Sequence, residues 1–290
     1  LEKYHTPQDQ ITYMKLHSLW TSIFAIPLFA LACSSYAQED IETGGKIEKK
    51  WEAGIGVGAV YGPDYRGSDE YRHFISPIPY FVYRGKIIRS DREGVRGNFL
   101  RTDRYEFTLS ASASITPETD KSTLREDMPE LGSTIEFGPS FNINLTGDSF
   151  ARGWHLQLPW RAVFAIGADE SGYIGSVFTP QLVYRDKLND WTFSYRAGIA
   201  FADEDYHDYY YKVDQKYVTA ARHYFDASSG YSGWNNQVAF SRKFTHGNIN
   251  TQLAFFIRYD NISGTDFGKS PLVVSDQSYR GGIALIWVIK

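Results

Sequence analysis

Sorted by parity, residues 105–115 (YEFTLSASASI) place Tyr105, Phe107, Leu109, Ala111, Ala113 and Ile115 on one side. Glu106, Thr108, Ser110, Ser112 and Ser114 fall on the other. This is the period of an extended strand with one apolar and one polar face. The same rule organises 51–61, 135–145, 190–201 and 249–259, and less regularly 74–83, 86–101, 154–166, 173–184, 208–218, 234–244 and 279–289. The pattern predicts an all-β chain of about twelve strands.

Many of these segments approach the ~9–11 residues that a tilted membrane strand needs, whereas strands of soluble sheets are nearer ~5–6. The polar faces carry Glu52, Glu106, Glu136, Arg161 and Arg196 at or near mid-strand. A dry core would charge several kcal/mol for each unpaired ion, and a watered lumen would not. The expected fold is therefore an antiparallel transmembrane β-barrel, with Phe107, Leu109, Phe193 and Phe255 towards lipid and Glu106, Glu136 and Arg196 inward. Composition agrees: 16% of residues are aromatic, with 21 Tyr and 7 Trp, and Tyr and Trp suit a boundary between hydrocarbon and water. A net charge of -4 without a basic cluster gives no reason to expect nucleic acid.

The first 50 residues read differently. From Met14, a basic start at Lys15 precedes an apolar stretch from Leu19 to Cys33 and the small-residue site Ser35-Tyr36-Ala37. That is the layout of a secretory signal peptide, too short and too interrupted by Pro27 to span a membrane. Ala30-Leu31-Ala32-Cys33 offers the rival reading of a lipoprotein signal. The expected organisation is upstream sequence at 1–13, a signal peptide at 14–37, a short periplasmic segment at 38–50 and one barrel over 51–290. Cleavage after Ala37 would leave no cysteine.

No motif argues strongly for chemistry. Gly54-Ile55-Gly56-Val57-Gly58-Ala59 fits the spacing of a dinucleotide fingerprint, but Tyr61-Gly62-Pro63-Asp64 follows where a helix is required. The glycines read instead as small inward residues of a strand. Asp64, Asp69 and Glu70 lack a calcium-loop spacing and have Arg66 and Arg72 among them, so a solvated, salt-bridged loop is expected. Asp203, Glu204, Asp205, His207 and Asp208 could hold a metal, but Tyr206, Tyr209, Tyr210, Tyr211 and Tyr217 beside them suggest a barrel rim. His155, His207, His223 and His246 have no neighbouring G-x-S-x-G motif. No catalytic, cofactor-binding or metal residue is assigned.

Tyr61-Gly62-Pro63-Asp64-Tyr65-Arg66-Gly67-Ser68-Asp69-Glu70-Tyr71, with Pro77-Ile78-Pro79-Tyr80 and Tyr83-Arg84-Gly85, resembles the opening of the MipA/OmpV family of MltA-interacting outer-membrane proteins. The similarity continues at 131–139, at Tyr209-Tyr210-Tyr211-Lys212-Val213, at 227–231, and at 270–274 with Gly281-Gly282. The resemblance implies a barrel in the outer membrane of a Gram-negative bacterium, among outer-membrane lipids. It also implies a non-enzymatic scaffold in cell-wall (peptidoglycan) assembly, with a lytic transglycosylase and a penicillin-binding murein synthase as partners. Other members are associated with adhesion, osmotic response or drug uptake. A narrow pore for small solutes or antibiotics and an outer-membrane lipid hydrolase are the alternatives. One departure is the ending Ile286-Trp287-Val288-Ile289-Lys290, where the family closes on an aromatic residue. Either Trp287 and Ile289 serve as the assembly signal or the native end differs.

Overall fold

The computed structural model describes residues 51–84, 88–91, 94–114, 122–146, 150–167, 169, 171–246 and 249–289. The expected signal peptide and periplasmic segment lie outside the described residues. The described strands form one 13-stranded sheet. They are β1 (Trp51–Pro63), β2 (Tyr71–Arg84), β3 (Ile88–Asp91), β4 (Gly94–Arg101), β5 (Tyr105–Ser114), β6 (Ser133–Asn144) and β7 (Gly153–Ile166). After these come β8 (Gly172–Phe178), β9 (Gln181–Leu188), β10 (Trp191–Ala202), β11 (Gly230–His246), β12 (Ile249–Asn261) and β13 (Gln277–Ile289). All pairings between them are antiparallel, and β13 pairs with β1 as well as with β12.

Three expected strands are corrected. Residues 86–101 divide into the short β3 and β4. The segment 173–184 is split at Thr179-Pro180, because proline has no N–H to give the ladder. Its two halves nevertheless follow one line: both β8 and β9 lie between β7 and β10, with Trp160 opposite Phe178 and Gln157 opposite Gln181. Bonds from Thr179 N–H to the Pro159 carbonyl (3.0 Å) and from Ile199 N–H to the Pro180 carbonyl (3.0 Å) carry the ladder across the gap. The third correction is 208–218, which forms the end of a helix, α1 (Glu204–Tyr211), and a 3-10 turn at Gln215–Tyr217.

The sheet's polarity is the reverse of a soluble core. Glu106, Thr108, Ser110, Ser140, Asn142 and Gln237 are buried, while Phe107, Phe137, Phe141, Phe255, Ile257 and Ile283 are exposed. Along β1 the expected alternation holds, with Ile55, Val57 and Tyr61 outward and Gly56 and Gly58 inward. Those glycines lie beside Ala284, Ile286 and Val288 of β13, which are buried on the same inner side. The nucleotide spacing of 54–59 is thus a strand packed against its neighbour, with no helix after it. No described helix is long and apolar enough to cross a membrane.

The two ends of the sheet differ. Short connections, 102–104 and the two residues Asn189-Asp190, lie at the end where β1 begins and β13 finishes. The opposite end carries 64–70, 203–229 and 262–276. Their apolar residues, with Leu131 of the connection before β6, make a compact cluster in which Tyr65, Leu131, Tyr211, Val213, Ile262 and Phe267 are buried.

Candidate functional site: an arginine-lined cavity under a tyrosine cap

The cap is built around α1. Asp203 occupies its N-cap and accepts from Tyr206 N–H at 3.0 Å, while Glu204 and Asp205 fill the first turn, where the helix dipole favours negative charge. The other Asp203 oxygen accepts from Ser176 N–H (2.7 Å) and Ser176 Oγ (2.8 Å), which docks the helix on β8. That docking needs Gly175. Its φ is +121, and a Cβ there would lie 2.3 Å from Asp203 Oδ1 and 2.5 Å from Tyr206 N.

From this anchor the helix turns its aromatic residues inward. The Tyr211 ring stacks on Phe267 at 4.0 Å between centroids, and its hydroxyl donates to the Arg66 carbonyl at 2.9 Å. Tyr65 Oη donates to the Leu272 carbonyl (2.8 Å), Ser270 Oγ to the Tyr211 carbonyl (2.7 Å) and Arg125 to the Tyr210 carbonyl (2.9 Å). Loops from four connections are thereby tied to one another. The expected rim of tyrosines is corrected: Tyr206, Tyr210 and Tyr211 roof the interior, and Tyr209 bonds Gly132 N–H through its hydroxyl at 2.7 Å.

Beneath the roof lies a cavity of ≈ 310 Å³. Its polar lining comes from the inner faces of β5 to β13, and five arginines reach it: Arg66, Arg161, Arg196, Arg258 and Arg280. Among the described residues only two carboxylates, Asp64 and Glu136, line it with them. Arg161 bridges Glu136 at 3.3 Å and donates to Ser110 Oγ at 3.0 Å. Arg258 makes a two-point bond to Asp260, at 2.8 and 2.7 Å. Arg66 gives its bonds to Ser232, at 2.6 Å to the carbonyl and 2.9 Å to Oγ. Glu136 and Arg196 therefore face inward as expected, and Glu106 is buried beside Asn142 Nδ2 at 3.2 Å. Arg66, read in the sequence as part of a salt-bridged loop, turns instead into the cavity; Arg258 and Arg280 were not marked by the sequence, since strand parity says which face a residue takes but not which strands meet.

The acidic groups take structural roles. Asp64 receives Arg72 at 2.8 and 3.0 Å and its side chain is fully buried, so the loop is salt-bridged but not solvated there. Glu70 receives Thr123 N–H and Oγ1 from another connection at 2.9 and 2.6 Å. Asp208 receives Ala227 N–H and Lys212 Nζ, at 2.9 and 3.2 Å. Among the described residues no group of three or more His, Cys, Asp or Glu is placed to hold a metal ion.

A serine, a histidine and a carboxylate do meet at the cap, but through the wrong atoms for nucleophilic catalysis. His207 Nδ1 bonds the main-chain oxygen of Ser228 at 2.7 Å, while Ser228 Oγ donates to Asp266 at 2.8 Å. The hydroxyl thus faces the acid instead of the imidazole that would have to take its proton. Burial pushes the His207 pKa down, against the opposing pull of the Ser228 carbonyl. His155 is buried against Phe150, His223 is exposed, and the His246 side chain lies outside the described residues.

An antiparallel all-β sheet with a polar, ion-bearing inner side and an apolar outer side defines the class. Residues 55–289 match the family model described as "MltA-interacting protein MipA", so the chain belongs to the MipA family. Comparison with curated proteins gives no match. Among solved structures, one described as "CymD monoaromatic hydrocarbon channel" matches over 83% of this chain and 88% of its own. Identity is 10% and the TM-score 0.33, so no functional argument rests on it.

Proposed function

We propose that this chain is a closed β-barrel of the Gram-negative outer membrane, that it acts by holding cell-wall enzymes together, and that it performs no chemistry of its own. The membrane assignment draws on the reversed polarity and on aromatic rows near both ends of the strands. Trp234, Tyr259 and Tyr279 form a chain of ring contacts at 5.3 and 5.1 Å towards the long loops. On β13, Tyr279 and Trp287 are both exposed and eight positions apart, about 26 Å along a strand. That suits the apolar band of an outer-membrane barrel. With β8 and β9 counted as one interrupted strand, twelve strands would close the ring and put both ends of the barrel sequence on the periplasmic side.

The observation that carries the scaffold reading is membership of a family described by its interaction with MltA. The partners proposed are a lytic transglycosylase and a penicillin-binding murein synthase. They would dock on the short-turn end, where the available surface is modest and the contact correspondingly weak and salt-sensitive. Crosslinking in intact envelopes, followed by identification of the attached proteins, tests this: murein hydrolases and synthases should be recovered together through the barrel. Recovery of none, with porin-like conductance or lipid hydrolysis by the purified protein, would overturn it. A narrow conduit is the second reading, favoured by the polar cavity.

A further inference from the structure

We propose that the cavity is a binding site for a small, water-soluble oxyanion, a carboxylate or a phosphate. Among the described residues, five guanidinium groups and two carboxylates line the space, an excess of three positive charges. Arg161 accounts for Glu136. Asp64 is engaged by Arg72, which is not among the lining residues. Asp260, beside the lining, is held by Arg258. Counting Asp260 still leaves the positive excess at two.

The placement of two arginines sharpens the point. Arg258 of β12 and Arg280 of β13 are direct cross-strand partners. Like charges directly opposed on one face of a sheet are unfavourable unless something between them carries the opposite charge. Asp260 supplies part of that, but its two oxygens are taken up by Arg258. Arg280 makes no hydrogen bond with the described residues while lining the cavity. It is also seated: a Cβ at Gly62, on the neighbouring strand, would come within 2.9 Å of its Cγ and 3.0 Å of its Nε. An arginine laid against a glycine, aimed at a polar cavity and opposite a second arginine, presents the planar fork that binds carboxylate or phosphate oxygens at two points.

The surroundings fit the same ligand class. Across the cavity Arg196 supplies another guanidinium, and Tyr206 and Tyr210 form the roof. The volume is at the small end of ligand sites and holds a compact ion. Because every lining strand residue is on the inner face, opposite Phe137 and Phe255, the ligand is a free ion and not the headgroup of a surrounding lipid. This inference does not depend on the scaffold reading.

Equilibrium binding to the purified full chain tests it, with inorganic phosphate and succinate as probes and putrescine as a cationic control, at low and raised ionic strength. Both anions should bind saturably, compete with each other and weaken with salt, and putrescine should not bind. Arg280→Gln and Arg196→Gln should each weaken anion binding by about tenfold or more. Arg152→Gln, which removes an exposed ion pair to Asp186, should leave it unchanged. Heat-modifiable migration and strand content are measured on each variant, and a variant that does not fold is replaced by Arg280→Lys, which keeps the charge and should weaken binding less. The proposal is overturned if the wild-type chain binds neither anion, if putrescine binds as well, or if folded Arg280 and Arg196 variants bind like the wild type.

Discussion

Neighbouring residues on one strand face opposite environments, and the cost of a charge should follow the face. Phe137 on β6 is 46% exposed on the outer side, while Ser112 on β5 faces the cavity directly opposite Glu136 in the register. If the outer side meets lipid as proposed, Phe137→Arg is expected to destabilise the fold by about 2–4 kcal/mol. Ser112→Arg should cost much less, because it enters a polar space with a carboxylate nearby. Denaturant titration of both variants in lipid checks the difference, and equal costs would reverse the assignment of faces. The face of each residue was legible from parity alone: Glu106, Glu136 and Arg196 lie inward as their strand positions demand. The convergence of Arg258 on Arg280 was not legible, since it depends on a register between strands that nothing local encodes.

The strands were readable because a two-residue period over ten or more positions has few other solutions. The helix was missed for a physical reason: tyrosines are good strand residues, and five of them within 206–217 outweighed a cap signal that was present. Asp203-Glu204-Asp205 is a helix start, and Tyr206, Tyr209 and Tyr210 then recur at helical spacing. Because this one aspartate both caps α1 and holds Ser176, Asp203→Ala should cost the folded cap about 2 kcal/mol. Gly175→Ala should loosen the same contact by steric conflict without removing a hydrogen bond. Limited proteolysis within 212–229 reads both variants, which should be cut faster than the wild type. Acid should act on this element too. The folded His207 imidazole is held below its ordinary pKa by burial, so the opened segment takes up a proton more readily than the folded one. Its contribution is complete above about pH 6.5 and is lost as pH falls below that value. Cleavage in the segment should therefore accelerate between neutral pH and pH 5, and His207→Gln should flatten that dependence.

At the scale of the whole molecule, the two ends divide the labour. The long-loop end spends its hydrogen bonds on itself: Tyr211 to Arg66, Tyr65 to Leu272 and Arg222 to Leu124 each join a different pair of connections. The proposed barrel, closed in this way, should conduct poorly even though its interior is polar. Replacing 204–229 by a short glycine-serine linker removes α1 with Tyr206, Tyr210 and Tyr211 without touching a strand. Single-channel recordings in planar bilayers should then show a several-fold rise in conductance, with a preference for anions set by the excess of arginines below. The same replacement should leave co-recovery of murein enzymes intact, because the proposed docking surface lies at the other end of the strands. Unchanged conductance in a folded variant would mean that the proposed barrel is blocked elsewhere. Loss of the enzymes would move their docking surface to the long loops.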